Sequence, residues 1–203
     1  MDQSGVKAGG AGVFHWIAPV YGLFFNYQRR YFNAVLNRVQ NHLDLSVYKK
    51  IVDVGCGTGA LCSVLYQRGF IVTGVDSARK MLITATGKKE NKSIGFLHAD
   101  VLKGLPFEEK CFDVSVASFV AHGLKADERK NLYAEMSRIT KHLIIIHDFN
   151  CNRSFLIDII ERLEGGDYFN FIKNAEDEIK ELFFDIQAIE ASPKTVCYIC
   201  RPV

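Results

Sequence analysis

One stretch decides the fold of this chain: Val52-Asp53-Val54-Gly55-Cys56-Gly57-Thr58-Gly59-Ala60. It leaves a short apolar run, Ile51–Val54, and enters a segment with helical periodicity, Ala60–Arg68. Glycine reaches backbone conformations closed to other residues and lets a ligand approach closely, so three glycines here predict a tight strand–turn–helix connection. The free N–H groups and the positive dipole end at the start of that helix suit a carboxylate or a phosphate group.

Short apolar runs and amphipathic segments alternate through the rest of the chain. Strands are predicted at Ile51–Val54, Phe70–Val75, Ile94–His98, Phe112–Ala117 and Leu143–His147. Helices are predicted at Ala60–Arg68, Ser77–Thr86 (with Ser77 as N-cap), Asp127–Ile139, Arg153–Leu163 and Ala175–Phe183. Two final β-rich runs, joined by turn residues, predict an antiparallel hairpin at Phe184–Ala191 and Thr195–Arg201. The alternation predicts an α/β protein, a mostly parallel sheet with helices on both faces.

Length and composition fit one folded domain with a small addition. The chain has 203 residues, of which 48% are hydrophobic and 24% are charged, and its formal net charge is +2. This composition excludes disorder for most of the chain, and it gives no electrostatic reason to expect nucleic acid or an anionic membrane as a partner. We expect a flexible tail at residues 1–12, a helical cap at 13–44 and one domain at 45–203.

The cysteines and the N-terminus predict a cytoplasmic location. Six cysteines are scattered through apolar contexts, which indicates reduced thiols. No targeting signal is seen, and the apolar segment Val13–Phe25 is too short to span a membrane. Cys197 and Cys200 are three residues apart in a strand-like run and should face opposite sides, so we expect no metal site there or elsewhere. The oligomeric state is left open.

Two acids lie at the ends of the first two strands. They leave two kinds of nucleotide site open, one for a dinucleotide and one for a ligand with an ammonium group. The turn also fits the dinucleotide pattern G-x-G-x-x-G/A. However, Asp53 places a negative charge at the mouth of the loop, where it would oppose a pyrophosphate and suit an ammonium group. Asp76 ends the second strand, where a carboxylate can accept hydrogen bonds from both hydroxyls of a ribose. Asp76 does not discriminate, because nicotinamide-dependent enzymes use an acid at the same place.

Several motifs together resemble one family. Asp53–Gly59 (DVGCGTG) is similar to motif I of the class I S-adenosylmethionine (SAM)-dependent methyltransferases. Further on, Ala99–Phe107 and Cys111–Val114 resemble the family pattern gD-x-x-x-LPF…FD-x-V. The stretch Ala117–Leu124 resembles the S-x-x-x-HHL segment of the branch that includes ubiquinone and menaquinone methyltransferases. No D/N-P-P-Y/F tetrapeptide stands at this place, which argues against methylation of nucleic-acid bases.

The resemblance implies a fold and a reaction. The fold would be a three-layer Rossmann-like sheet of seven strands in the order 3-2-1-4-5-7-6, with strand seven antiparallel and an N-terminal helical cap. The reaction would be methyl transfer from SAM to a small-molecule acceptor, with S-adenosylhomocysteine as product. Two alternatives stay open, a catalytically silent SAM-binding regulatory protein and an NAD-dependent oxidoreductase.

The resemblance also implies which residues form the site. Asp100 would accept a hydrogen bond from the adenine amino group, and the backbone of Val101 would face the ring. The full set of expected cofactor-binding residues is Tyr21, Asp53, Gly55, Cys56, Gly57, Gly59, Asp76, Ser77, Met81, Asp100, Val101, Ser118 and Phe119. His122 is the candidate base, because a neutral histidine can accept a proton near pH 7. Segments 147–150 and 165–171 are candidates for contact with the acceptor.

Overall fold

The computed structural model describes residues 24–152 and 166–203, and in it seven strands pair into one sheet. The strands are β1 (Lys50–Val54), β2 (Ile71–Asp76), β3 (Gly95–His98), β4 (Phe112–Ser118), β5 (Thr140–Phe149), β6 (Ile186–Ser192) and β7 (Thr195–Cys200). Their order is β3-β2-β1-β4-β5-β7-β6. Strand β7 is antiparallel to both of its neighbours, and the pairs among β1 to β5 are parallel. The predicted fold class, strand number and strand order are therefore confirmed.

Helices cover both faces of the sheet, as the alternation predicts. They are α1 (Phe25–Val39), α2 (Ala60–Gln67), α3 (Arg79–Thr86), α4 (Ala126–Ile139) and α5 (Tyr168–Leu182). On one face, α1 and α2 pack against side chains such as Ile51 and Ile145. On the other face, α4 and α5 pack against side chains such as Val52 and Ile144. Successive strand residues thus enter opposite cores, which is why these central strands are apolar on both sides.

Some boundaries and one cap differ from the expectation. Strand β5 is longer than predicted at both ends, and α5 begins at Tyr168 because the aromatic segment forms its first turn instead of a loop. Helix α3 begins at Arg79, and Ser77 is not its N-cap. The carboxylate of Asp76 accepts the hydrogen bond from Ala78 N at 2.7 Å instead. An acid at a strand end can satisfy that first N–H, so the serine is not needed.

Other expectations concern the ends and the cysteines. Tyr21, the tail at residues 1–12 and the predicted helix Arg153–Leu163 lie outside the described residues, so the predicted division of the chain stays a prediction. Cys197 and Cys200 are free thiols that belong to the cores on opposite faces of the sheet, as expected. Within residues 24–152 and 166–203, none of the helices combines the length and the apolar character that crossing a membrane requires.

A buried arginine joins α4 to α5. Arg129 has no exposed surface, and its guanidinium binds both carboxylate oxygens of Glu178 at 2.6 Å. The same group donates to Asp167 at 2.9 Å and to the carbonyl oxygen of Leu124. A buried charge is tolerated only when it is paired and hydrogen-bonded in this way, so Arg129 fixes where α5 lies on the sheet.

We expect Arg129→Met to lower the free energy of unfolding by about 3–5 kcal/mol, because it leaves the carboxylate of Glu178 without its cation. Chemical denaturation of the purified variant measures this loss. Lys180→Met is the matched control, since Lys180 pairs with Glu176 on the exposed side of the same helix and its loss should change little. Equal effects of the two substitutions would contradict the assignment.

Candidate functional site

The turn after β1 is built from glycines in the left-handed region. The φ angles of Gly55, Gly57 and Gly59 are +76°, +52° and +72°. A Cβ on Gly55 would lie 2.4 Å from Cγ2 of Val120, and one on Gly59 would lie 2.6 Å from Nδ2 of Asn91. A Cβ on Gly57 would meet no heavy atom of the described residues within 4 Å. Gly55 and Gly59 therefore serve close packing, whereas Gly57 faces open space in which a ligand could approach the backbone.

Asp76 at the end of β2 closes this turn. Its Oδ2 accepts a hydrogen bond from Gly57 N at 2.7 Å, and its Oδ1 accepts one from Ala78 N at 2.7 Å. Burial raises the pKa of the carboxyl group, while these two backbone donors lower it. Each carboxylate oxygen can accept a second hydrogen bond, so the hydroxyls of a ligand could still bind here.

Asp53 lies beneath the turn rather than at its mouth. Asp53 is only 1% exposed, and its Oδ2 accepts a hydrogen bond from Sγ of Cys62 in α2 at 3.2 Å. Burial raises the pKa of this carboxyl group to about 7. A charge on Asp53 would therefore act on a ligand through the turn, at a distance, and would be screened weakly.

The two acids give the turn negative charge that is only partly offset, since His98 acts electrostatically on Asp76 and lowers its pKa. Within the described ranges, neither Asp53 nor Asp76 forms an ion pair, and each raises electrostatically the pKa of the thiol of Cys56. Such a site favours a ligand that carries positive charge there and opposes a pyrophosphate. This geometry favours a cationic ligand over a dinucleotide with its negatively charged pyrophosphate.

The end of β3 carries the third acid. Oδ1 of Asp100 accepts a hydrogen bond from Leu102 N at 3.1 Å, and its Oδ2 lies 3.2 Å from the ammonium group of Lys103. Val101 is half-buried and begins a short 3-10 turn. Of the remaining expected residues near β2, Ser77 is exposed and Met81 is buried in α3. Asp100 is thus held by its own turn and keeps a partly exposed carboxylate.

The ends of β4 and β5 present two polar atoms without partners. Ser118 and His147 are opposite each other in the parallel ladder, and the next residue, Phe119, has a φ angle of +56°. Ser118 Oγ and His147 Nδ1 are both buried, and neither has a hydrogen-bond partner among residues 24–152 and 166–203. Burying a polar atom unpaired is costly, so a place that keeps two of them is a candidate for binding a ligand or a water molecule.

Helix α1 connects this end of the sheet to the glycine turn. The hydroxyl of Tyr31 lies 3.0 Å from His147 Nε2 and 3.0 Å from Oγ1 of Thr195 in β7. Near the start of the helix, Oε1 of Gln28 accepts a hydrogen bond from Oγ1 of Thr58 at 3.0 Å. Burial lowers the pKa of His147 to about 4 and raises that of Tyr31 to about 12, so both groups are neutral near pH 7.

His122, the candidate base, is paired with an acid. Its Nδ1 lies 2.7 Å from Oδ1 of Asp148, and Asp148 also accepts hydrogen bonds from the backbone N–H groups of His122 and Phe149. His122 is 6% exposed and Asp148 is fully buried. The rings of Phe119, Phe149 and Tyr168 lie 4.9 to 6.4 Å from the imidazole. A carboxylate on Nδ1 fixes the tautomer that leaves Nε2 as the basic nitrogen.

Sequence reasoning found some of these residues and missed others. It singled out the glycine turn, Asp76, Asp100 and His122, and it marked the segment that contains Asp148 without giving that residue a role. It missed Tyr31, since only helical spacing marked that residue. It also missed the pairing of His122 with Asp148, because two residues on neighbouring strand ends carry no signal of contact in one sequence.

Part of the chain matches a known protein family. Residues 52–143 match the family model described as a methyltransferase domain. A malonyl-[acyl-carrier protein] O-methyltransferase of Buchnera aphidicola is 31% identical over 131 residues, which cover 64% of this chain and 49% of that protein. An uncharacterized methyltransferase of Staphylococcus carnosus is 22% identical over 88% of this chain and 92% of its own length. The chain thus spans about half the length of the first relative and most of the second.

Solved structures share the fold. A putative SAM-dependent methyltransferase of Methanococcus maripaludis superposes with a TM-score of 0.66, 16% identity and coverage of 100% of this chain and 98% of that one. Human N-acetylserotonin methyltransferase in complex with SAM gives a TM-score of 0.64 at 18% identity, over 94% of this chain and 56% of that one. At these identities, the likeness concerns the fold alone.

The glycine turn predicts two different outcomes for the same substitution. Gly55→Ala should lower the free energy of unfolding by about 2–4 kcal/mol, because the new methyl group meets Val120 and the backbone is left-handed. Gly57→Ala should cost only the backbone strain, about 1–2 kcal/mol, since its methyl group enters open space. Urea denaturation of both variants measures the difference, and the reverse order would contradict this description of the turn.

Proposed function

We propose that this chain, which carries a class I SAM-dependent methyltransferase domain, transfers a methyl group from SAM to a small-molecule acceptor. The observation that carries the proposal is the open face of Gly57 between two acids, neither of which forms an ion pair within the described residues. The cofactor of this family is SAM, whose sulfonium and ammonium groups are the positive charges that such a turn favours. A dinucleotide would bring a pyrophosphate to the same place and would be repelled.

The residues present fit this cofactor. Gly57 leaves room for it, Asp76 keeps lone pairs for the hydroxyls of its ribose, and Asp100 keeps an accessible carboxylate for its adenine amino group. Ser118 Oγ is a buried hydroxyl that still lacks a partner. We assign the remaining predicted contacts to the same site, namely Tyr21, Asp53, Gly55, Cys56, Gly59, Ser77, Met81, Val101 and Phe119.

Methyl transfer requires that the protein align the acceptor and exclude water, and it does not require a strong nucleophile from the protein. When bound, SAM supplies a methyl group that its sulfonium already activates. The protein must hold the acceptor in line at about 3–3.5 Å and exclude water. The aromatic rings around His122 and His147 exclude water from the ends of β4 and β5. We place the acceptor there, beside the turn, because Val120 at the end of β4 packs directly on Gly55.

His122 is the residue that we assign to proton removal from the acceptor. Asp148 holds the imidazole by Nδ1 and stabilises the imidazolium that forms when Nε2 accepts a proton. His147 does not fit this role, because burial holds its pKa at about 4 and its Nε2 already contacts Tyr31. The pairing of His122 with Asp148 favours an active enzyme over a silent SAM-binding protein.

The walls of the site indicate the class of acceptor. The described side chains that surround His122 and His147 at the strand ends are mostly aromatic, which suits a small apolar or aromatic molecule. Two matched relatives are named O-methyltransferases, one for malonyl-[acyl-carrier protein] and one for ubiquinone biosynthesis. We place the reaction in the cytoplasm, which the six free cysteines support.

Cofactor choice is tested by thermal unfolding with SAM, S-adenosylhomocysteine or NAD. We expect both adenosyl sulfur compounds to raise the melting temperature and NAD to leave it unchanged, because only a ligand of the native state stabilises the fold. In Gly57→Val the shift should disappear, since the branched side chain occupies the open face of the turn. Gly69→Val is the matched control: Gly69 also has a positive φ and open space, but it follows α2 away from the site. A shift with NAD alone would overturn the proposal.

The ribose contact is tested by Asp76→Asn. We expect a loss of about 1.5–3 kcal/mol in binding of SAM, the range of hydrogen bonds to charged groups. Isothermal titration calorimetry measures it, and an unchanged dissociation constant would show that Asp76 does not hold the ribose. The amide keeps an oxygen for one of the two backbone donors, so the turn loses less order than it would in an alanine variant.

The base is tested by His122→Gln and Asp148→Asn. The assay measures S-adenosylhomocysteine formed from SAM, with a small-molecule cell extract as the source of the acceptor. In His122→Gln this rate should fall by about 100-fold or more, the range of general base catalysis, while SAM affinity stays unchanged. The rate should fall less in Asp148→Asn than in His122→Gln, and the pH dependence of the rate should shift. His142→Gln is the control, because His142 is exposed and stacks on Tyr48. Full activity of His122→Gln would remove the base from this mechanism.

A further inference from the structure

Asp53 is a buried acid whose contacts in the fold do not offset the free energy that burying a carboxylate costs. It is 1% exposed next to the last residue of β1, between Gly74 of β2 and Val116 of β4 in the ladder. A weak thiol donor, Cys62 in α2, is the hydrogen-bond partner of its Oδ2. Burying a carboxylate with so little compensation costs free energy, and an apolar residue or an asparagine at this place would avoid that cost.

The groups that face Asp53 do not neutralise it. Those on α2, on the turn and on β2 are Cys62, Cys56 and Asp76, and the pKa of each of the two thiols is raised by burial. Asp76 also disfavours the ionised form of Asp53. No cationic side chain in the described part of the chain pairs with the carboxylate, so a positive charge must come from a ligand if Asp53 is to ionise readily.

Substrate and product of the proposed reaction differ in one charge. The sulfonium, ammonium and carboxylate groups of SAM sum to one positive charge, whereas S-adenosylhomocysteine keeps the last two and is neutral overall. Both ligands share the ribose, the adenine and the amino-acid end. They differ in the methyl group and in the sulfonium charge, and a buried acid that does not touch the methyl group can discriminate them only by the charge, through a medium of low dielectric.

We propose that Asp53 is a specificity determinant that, when ionised, favours the cationic cofactor over the neutral product and takes up a proton once the positive charge is gone. This inference rests on the proposed function. The balance is one proton: the protonated carboxyl group plus SAM gives the carboxylate with SAM bound, plus a released proton. After methyl transfer the carboxylate faces a neutral thioether, so it regains a proton and the product is held less tightly than the substrate.

The sign of the pH dependence follows. Without ligand, burial holds the pKa of Asp53 at about 7, and a bound cation lowers it. Binding of SAM then releases a proton between the lowered pKa and about 7, so the affinity for SAM rises with pH through that window and levels off above it. The affinity for S-adenosylhomocysteine should change little from this cause. Titration of groups that both ligands share, such as their amino group, cancels in the ratio of the two affinities.

Calorimetric titration of wild type with each ligand at pH 6.0 and 7.5 tests the proposal. We expect the preference for SAM over S-adenosylhomocysteine to be about four- to fivefold greater at the higher pH, because a charge pair roughly 10 Å apart gives about tenfold over the whole titration and this interval covers part of it. Titrations near pH 6.5 in two buffers of different ionisation enthalpy count protons. They should show more proton release with SAM than with S-adenosylhomocysteine.

Three variants separate this role from a structural one. Asp53→Asn keeps the shape of the side chain, and it should abolish both the pH dependence of the ratio and the extra proton release. Cys62→Ala removes the thiol donor that lowers the pKa of Asp53, so the midpoint of the pH dependence should move to higher pH. Asp76→Asn should weaken both ligands through the ribose that they share, and because Asp76 raises the pKa of Asp53, the midpoint of the pH dependence should move to lower pH.

The outcomes are distinguishable. If Asp53→Asn keeps the wild-type ratio and its pH dependence while both ligands bind, Asp53 does not select charge and the inference falls alone. If wild type releases equal numbers of protons with both ligands, it falls as well. If neither ligand binds to wild type, the proposed function falls with it.

Discussion

The hydrogen bond from Gly57 N to the carboxylate of Asp76 joins the ends of β1 and β2, and the rest of the site depends on it. It turns the backbone so that the open face of Gly57 is presented to solvent while its neighbouring glycines pack inward. The other oxygen of the same carboxylate receives the first N–H of the segment that leads into α3. One acid thus sets the direction of the turn and of the chain that leaves β2, which is why the glycines and the acid are informative as a set.

The sequence predicted the sheet well because its signals are local and repeated. Apolar runs bounded by glycine or turn residues mark each strand, and the resemblance supplied their order, which no periodicity reveals. Details that depend on three-dimensional contacts were not accessible. The buried position of Asp53 and the pairing of His122 with Asp148 arise between segments far apart in the chain. The aromatic start of α5 looked like a loop because Gly165 and Gly166 precede it, although Tyr168 and Phe171 bury themselves as a helical face.

Two histidines near the same sheet edge show how surroundings separate roles. His147 is enclosed by apolar rings and by the neutral hydroxyl of Tyr31, so it stays uncharged and serves as a fixed hydrogen-bonding group. His122 lies on a buried carboxylate that orients it and would stabilise its positive form. The sequence presents both simply as histidines after apolar strands. Only the partner that each one meets in the fold distinguishes the histidine that we propose as the proton acceptor from the neutral ring.

Helix α1 contacts the glycine turn through Gln28 and the strands β5 and β7 through Tyr31, so one helix connects the two parts of the candidate site. Gln28 and Tyr31 are three residues apart, less than one helical turn, so the two contacts lie close together on the helix. A shift of this part of α1 would therefore move the contact on the turn and the contact beside His147 together.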